Sequence, residues 1–169
     1  MDKLLTFAGY DSRSGPHIFP LETTPERHIK LATALHPDIQ AYIRNAKPIP
    51  GKTQLLIDAL GCEEYWGNNV NGDRFPAEAL AHDGADYGAR TFEHHAYPFK
   101  HHVNKDPAKA YGDKVTISRY YAPSGRVQLI AAFFNDRASD IITDVENGTY
   151  PDVSMGCRVP WDECTICGH

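Results

Sequence analysis

The sequence predicts an α+β or mainly-β single domain, with strands packed in antiparallel fashion and helices around them. Three observations carry that expectation. The chain has 169 residues, enough for one compact domain or a domain with a small appendage. Val115–Ala122 (VTISRYYA) and Arg126–Phe134 (RVQLIAAFF) flank Pro123-Ser124-Gly125, a hairpin signature. Thr53–Leu60 (TQLLIDAL) follows the breaker run Lys47-Pro48-Ile49-Pro50-Gly51 and reads as a further strand.

The remaining elements follow in order. Residues 1–23 hold Gly9, Gly15, Pro16 and Pro20 with little periodicity, which predicts an irregular arm with a short strand at Leu4–Ala8. Thr23-Thr24-Pro25-Glu26 has the threonine cap and first-turn proline of a helix start. Ile29, Leu31, Ala32 and Leu35 fit one helical face; Pro37 interrupts it, and Ile39, Tyr42 and Ile43 resume it. The expectation is two short helices or one kinked helix. Residues 68–73 form a polar loop with the turn signal Asn71-Gly72, and Pro76–His82 reads as a short helix. Residues 83–113 are rich in Gly, His, Pro and Tyr and only weakly periodic, the composition of a functional loop. Arg137–Asn147 reads as a helix stopped by Gly148, and Tyr150–Met155 as another strand. The chain therefore divides into an arm with helices (1–50), a core (51–156) and a Cys/His-rich tail (157–169).

Composition narrows the function. Hydrophobic residues make up 41% and charged residues 23%, values of a folded domain rather than a disordered one. The formal net charge of −5 argues against nucleic acid bound through bulk charge. No apolar run is long enough to span a membrane, and Met1-Asp2-Lys3-Leu4-Leu5 lacks the layout of a signal peptide, so the expectation is a soluble intracellular protein with no membrane partner.

Three constellations can carry chemistry. His94-His95 and His101-His102 place four imidazoles in one short segment, and imidazole suits both proton transfer near neutrality and metal ligation. Any one of them can equally be a surface or half-buried ring bonded to backbone. Neither the His-Glu-x-x-His pattern of zinc proteases nor the remainder of a His-Asn-His nuclease motif is present. Asp152-Val153-Ser154-Met155-Gly156 offers a serine beside a glycine that permits close backbone approach, although most Ser-x-Gly triplets are simply turns. A serine nucleophile needs a histidine within hydrogen-bond reach to take its proton. Cys164-x-x-Cys167 has the spacing of a tetrahedral zinc chelate, with Cys157 and His169 as the remaining candidate ligands, and four protein ligands make such a zinc structural. The competing reading of the pair is a reduced, free dithiol. The fourth cysteine, Cys62, stands apart from this cluster.

Taken together, three motifs resemble the maturation (prohead) proteases of tailed bacteriophages, serine proteases similar in fold to the herpesvirus assembly protease. They are Asn69-Val70-Asn71-Gly72-Asp73-Arg74-Phe75 before an apolar helix, the run from Phe99-Lys100-His101-His102 to Tyr111-Gly112-Asp113-Lys114-Val115, and Ile141–Gly148 leading into Val153-Ser154-Met155-Gly156. The resemblance spans about residues 53–160, and in it the histidine precedes the serine, here by 52 positions from His102 to Ser154. It implies a closed or nearly closed antiparallel β-barrel with peripheral helices and a tendency to homodimerise. It also implies an endopeptidase that cleaves scaffold and major capsid proteins inside an immature shell in the host cytoplasm, without a catalytic cofactor. Ser154 is then the nucleophile, and His102, or its neighbour His101, the base. Asp106, Asp152, Asp162, Glu163 and His169 are the groups available to orient that base. The Cys-rich tail lies outside the general family pattern. Two other readings compete: a non-catalytic virion or assembly protein whose zinc tail is its interaction surface, and a metal-dependent hydrolase built on the paired histidines.

Overall fold

The structure is a computed structural model that describes residues 4–6, 35–68, 72–100, 106–149 and 153. Its elements are β1 (Leu4–Thr6), α1 (Pro37–Asn45), β2 (Lys52–Gly61), α2 (Glu63–Trp66), α3 (Ala77–Ala81) and α4 (Thr91–His95), then a 3₁₀ turn (Pro107–Lys109), β3 (Ile117–Tyr121), β4 (Arg126–Phe134) and α5 (Ser139–Glu146). The strands form one sheet in the order β1-β2-β4-β3. β4 runs antiparallel to both β2 and β3, whereas β1 pairs with β2 in parallel. The described strands make an open sheet with β1 and β3 at its edges, so they show a small α+β fold and not the barrel.

The hairpin β3–β4 forms where its sequence signature lies, turning through residues 122–125 with Gly125 at φ 64°. β4 is buried along nearly its whole length because both of its faces are covered. On one face Leu129, Ala131 and Phe133 join Leu55 and Ile57 of β2 against Ile142 and Val145 of α5, with Phe92 of α4 at the margin. On the other face Ile130 and Leu56 meet Ile39 of α1. Burying each such aliphatic side chain contributes about 1.5–3 kcal/mol, so this two-sided core is the main favourable term. Near its far end β2 carries a register shift between Asp58 and Leu60, a bulge that brings both Ala59 and Leu60 onto core clusters.

The polar residues of the central strands are satisfied. Gln54 accepts from the Tyr42 hydroxyl (2.5 Å) and donates to the Lys47 carbonyl (3.0 Å), and Gln128 accepts the His36 N–H (2.8 Å). These bonds tie α1 to its face of the sheet. Pro37 sits in the first turn of α1, where a missing N–H costs nothing, so it starts a helix rather than interrupting one. The helix expected around 23–35 and the strand expected at Tyr150–Met155 lie outside the described residues, apart from Leu35, which is buried, and Val153, which is exposed.

Candidate functional site

Ser154, His102 and His101, and the tail residues Cys157, Cys164, Cys167 and His169, lie outside the described residues, as do Asp152, Asp162 and Glu163.

The described chain stops at Lys100, before His101 and His102, and resumes at Asp106. The approach to Lys100 is α4, whose end is fixed to the chain just ahead of β3: the Ala96 carbonyl accepts the Val115 N–H (2.9 Å). The Pro98 carbonyl then accepts the Tyr111 N–H (2.8 Å), so the chain before Lys100 is bonded to the chain after Asp106. Lys100 Nζ forms an ion pair with Asp140 Oδ2 in the first turn of α5 and lies 5.9 Å from the centroid of the Tyr111 ring. The hydrogen bond from Lys100 holds the Asp140 carboxyl below the usual carboxylate range. Asp106 Oδ1 accepts the Ala108 N–H (3.0 Å) and caps the 3₁₀ turn. Arg137 Nη1 reaches the Ala108 and Ala110 carbonyls at 2.8 and 3.1 Å. Asp106 was one candidate third group; one of its carboxylate oxygens is engaged by its own turn.

The serine segment leaves from the other end of α5. The Gly148 N–H bonds the Val145 carbonyl (3.1 Å) and the Thr149 N–H bonds the Asp144 carbonyl (2.8 Å), with Gly148 at φ 78°. That is a Schellman termination, which sets the direction in which the chain departs. One helix thus carries a tether to the histidine segment at its start and launches the serine segment at its end. The glycine stop was visible in the sequence; Lys100, Asp140 and Arg137 as clamps were not, since each joins parts distant along the chain.

The other two histidines belong to no ligand cluster among the described residues. His94 and His95 are exposed on α4, with ring centroids 6.2 Å apart, and His95 Nε2 meets Asp86 Oδ1 at 3.1 Å. Among the described residues no group of three or more His, Cys, Asp or Glu side chains is placed to hold a metal ion. Cys62 is a fully buried free thiol. Gly72 and Asp73, the described part of the Asn-Gly-Asp turn, are exposed, and the chain just beyond is tied down. Arg74 pairs with Glu63, and Glu64 accepts the Ala77 N–H (2.9 and 3.0 Å) at the start of α3.

A second concentration of charge lies at the edge of β3 that no described strand pairs, where the sequence offered no motif. Arg119 is the hub. Its Nε donates to Asp38 Oδ2 (2.7 Å), and its Nη1 donates to Glu93 Oε1 and to the Ser118 carbonyl (2.7 Å). The hydrogen bond from Arg119 holds Asp38 below its ordinary value, while burial, aided by Arg119, pushes the His36 ring down from its own. No helix among the described residues is long and apolar enough to cross a membrane. Comparison with protein-family models, with curated proteins and with solved structures found no match.

Proposed function

We propose that the chain is a serine endopeptidase of the phage prohead type, acting on scaffold and major capsid proteins during shell maturation. Ser154 attacks the scissile carbonyl, and His102 takes its proton as general base and returns it to the leaving amine. The observation that supports the reading is the role of α5. Lys100, two residues before His102, is tied to the first turn of that helix, and the chain toward Ser154 leaves its last turn. An eight-residue helix is about 12 Å long. The five residue-to-residue steps from Thr149 to Ser154 span up to about 17 Å, enough to return along the helix to the Lys100–Asp140 end. Order, spacing and anchoring are thus compatible with a serine–histidine pair meeting there.

The finer parts of the reading go with it. A closed barrel requires strands beyond the four described, and the homodimer and the virion location follow the resemblance. The tail is assigned one structural zinc on Cys157, Cys164, Cys167 and His169, with no part in the chemistry.

The test is incubation of the purified chain with the scaffold protein encoded beside it. Wild type cleaves, Ser154→Ala loses several orders of magnitude in rate while remaining folded, and His102→Ala loses far more than His101→Ala. Cleavage by Ser154→Ala at the wild-type rate removes Ser154 as nucleophile. No cleavage by folded wild type favours the non-catalytic assembly protein instead.

A further inference from the structure

We propose that the cleft at the open edge of β3 docks an extended acidic peptide segment by strand addition, and, resting on the endopeptidase reading, that this segment belongs to the substrate. The cleft has a volume of about 440 Å³. Its walls come from the start of α1 (His36, Asp38) and from the α3–α4 connection (His82, Asp83, Arg90), and its floor from Arg119 and Tyr120 of β3.

The backbone of the floor is the first argument. The Ser118 N–H donates to Glu93 Oε1 at 2.7 Å, so it points away from β4. Along a strand successive N–H groups point to opposite sides, so that of Tyr120 faces the same outer edge, inside the cleft. No strand lies beyond β3 among the described residues. An edge of this kind accepts an added strand through main-chain hydrogen bonds. Glu93 occupies the edge at Ser118, so the added segment is short and centred on Tyr120.

The walls choose the side chains. Arg119 spends its donors on Asp38, Glu93 and a carbonyl, but Arg90 does not. Arg90 Nη1 makes one long bond, 3.3 Å, to Asp83, whose side chain is 81% exposed, and Arg90 Nε lies 3.6 Å from Glu93 and has no hydrogen-bond partner. A guanidinium carries five N–H donors, so Arg90 has capacity to spare for a carboxylate, which would replace the solvated Asp83. The two imidazoles add donors. His36 Nδ1 accepts the Asp38 N–H and His82 Nδ1 accepts the Gly84 N–H, each at 3.1 Å, which leaves the proton of each neutral ring on Nε2. Leu80, Ala89 and Ala122 supply apolar surface between these groups. Donors on both walls, an open strand edge below and a small apolar patch suit an extended peptide bearing a glutamate or aspartate.

The experiment is an NMR titration of full-length Ser154→Ala protein with the capped peptide Val-Glu-Val-Glu-Val and its glutamine counterpart. The expected result is a saturable shift of the Tyr120 amide with the acidic peptide. The glutamine peptide, and the acidic peptide on Arg90→Gln protein, bind about tenfold more weakly. The glutamine peptide makes the comparison on an unaltered cleft, so a poorly folded Arg90→Gln does not disable the test. An unmoved Tyr120 amide, or equal binding of the two peptides, overturns the proposal. A separate assay of scaffold cleavage keeps the two readings apart. Docking at Tyr120 without proteolysis leaves the cleft standing and removes the endopeptidase; proteolysis without a Tyr120 shift does the reverse.

Discussion

At Gly112 a single hydrogen in place of a side chain lets the chain pass close against β4. A Cβ there would lie 2.3 Å from the Ala132 carbonyl oxygen and 2.9 Å from Pro98 Cγ. The backbone atom belongs to the central strand and cannot retreat. Gly112→Ala is therefore expected to cost about 1–3 kcal/mol, read from urea unfolding; an unchanged midpoint would mean that the chain does not cross β4 this closely. His36 carries a second expectation. Burial, assisted by Arg119, lowers the folded-state pKa below the ordinary 6.5, while Asp38 opposes the shift. The unfolded chain then binds the proton more readily, so the stability linked to His36 is full above pH 6.5 and is lost as pH falls below it. Asparagine can keep the capping bond to Asp38 without titrating. The stability difference between wild type and His36→Asn should thus shift against wild type as pH is lowered through this window. Parallel stability–pH curves for the two proteins would contradict the linkage. Neither role was legible beforehand, because both depend on what lies across space from the residue.

At the scale of elements, local signals served well and tertiary ones did not. The Pro123-Ser124-Gly125 turn, the β4 run and the Gly148 stop all formed where patterning placed them, since each is decided by neighbours in sequence. The helix α4 was missed. Thr91–His95 has no apolar period of its own and sits in a stretch rich in Gly, His and Tyr. It is held because Phe92 packs on the core and Glu93 bonds the Ser118 N–H and Arg119. The end of α5 is the element on which the functional reading leans most. An alanine at position 148 must adopt a left-handed conformation, which costs about 1–2 kcal/mol. Gly148→Ala should lower stability by that amount in denaturant unfolding and should also slow scaffold cleavage, because the exit toward Ser154 is redirected. A variant destabilised as expected but fully active would separate the cap from the chemistry.

For the whole molecule, the antiparallel hairpin and its neighbour were readable from alternation and turn residues, but closure was not. A barrel was implied by resemblance alone, and the described sheet is open, with a parallel strand at one edge. Parallel pairing of Leu4–Thr6 with Gln54–Leu56 joins segments far apart in the chain, and no local pattern encodes it. The same distance hides the β3-edge cleft, whose walls come from three separate parts of the sequence. What the sequence did carry is the order of a histidine segment and a serine segment, and the structure adds that α5 is connected to both. The central claim is that Ser154 is an activated nucleophile, and intact-mass analysis after incubation with a fluorophosphonate tests it most directly. The account predicts one adduct per chain on wild type, located at Ser154, none on Ser154→Ala and sharply slower labelling of His102→Ala. A folded wild-type chain that takes no adduct, or a Ser154→Ala chain that takes it as readily, would contradict the account.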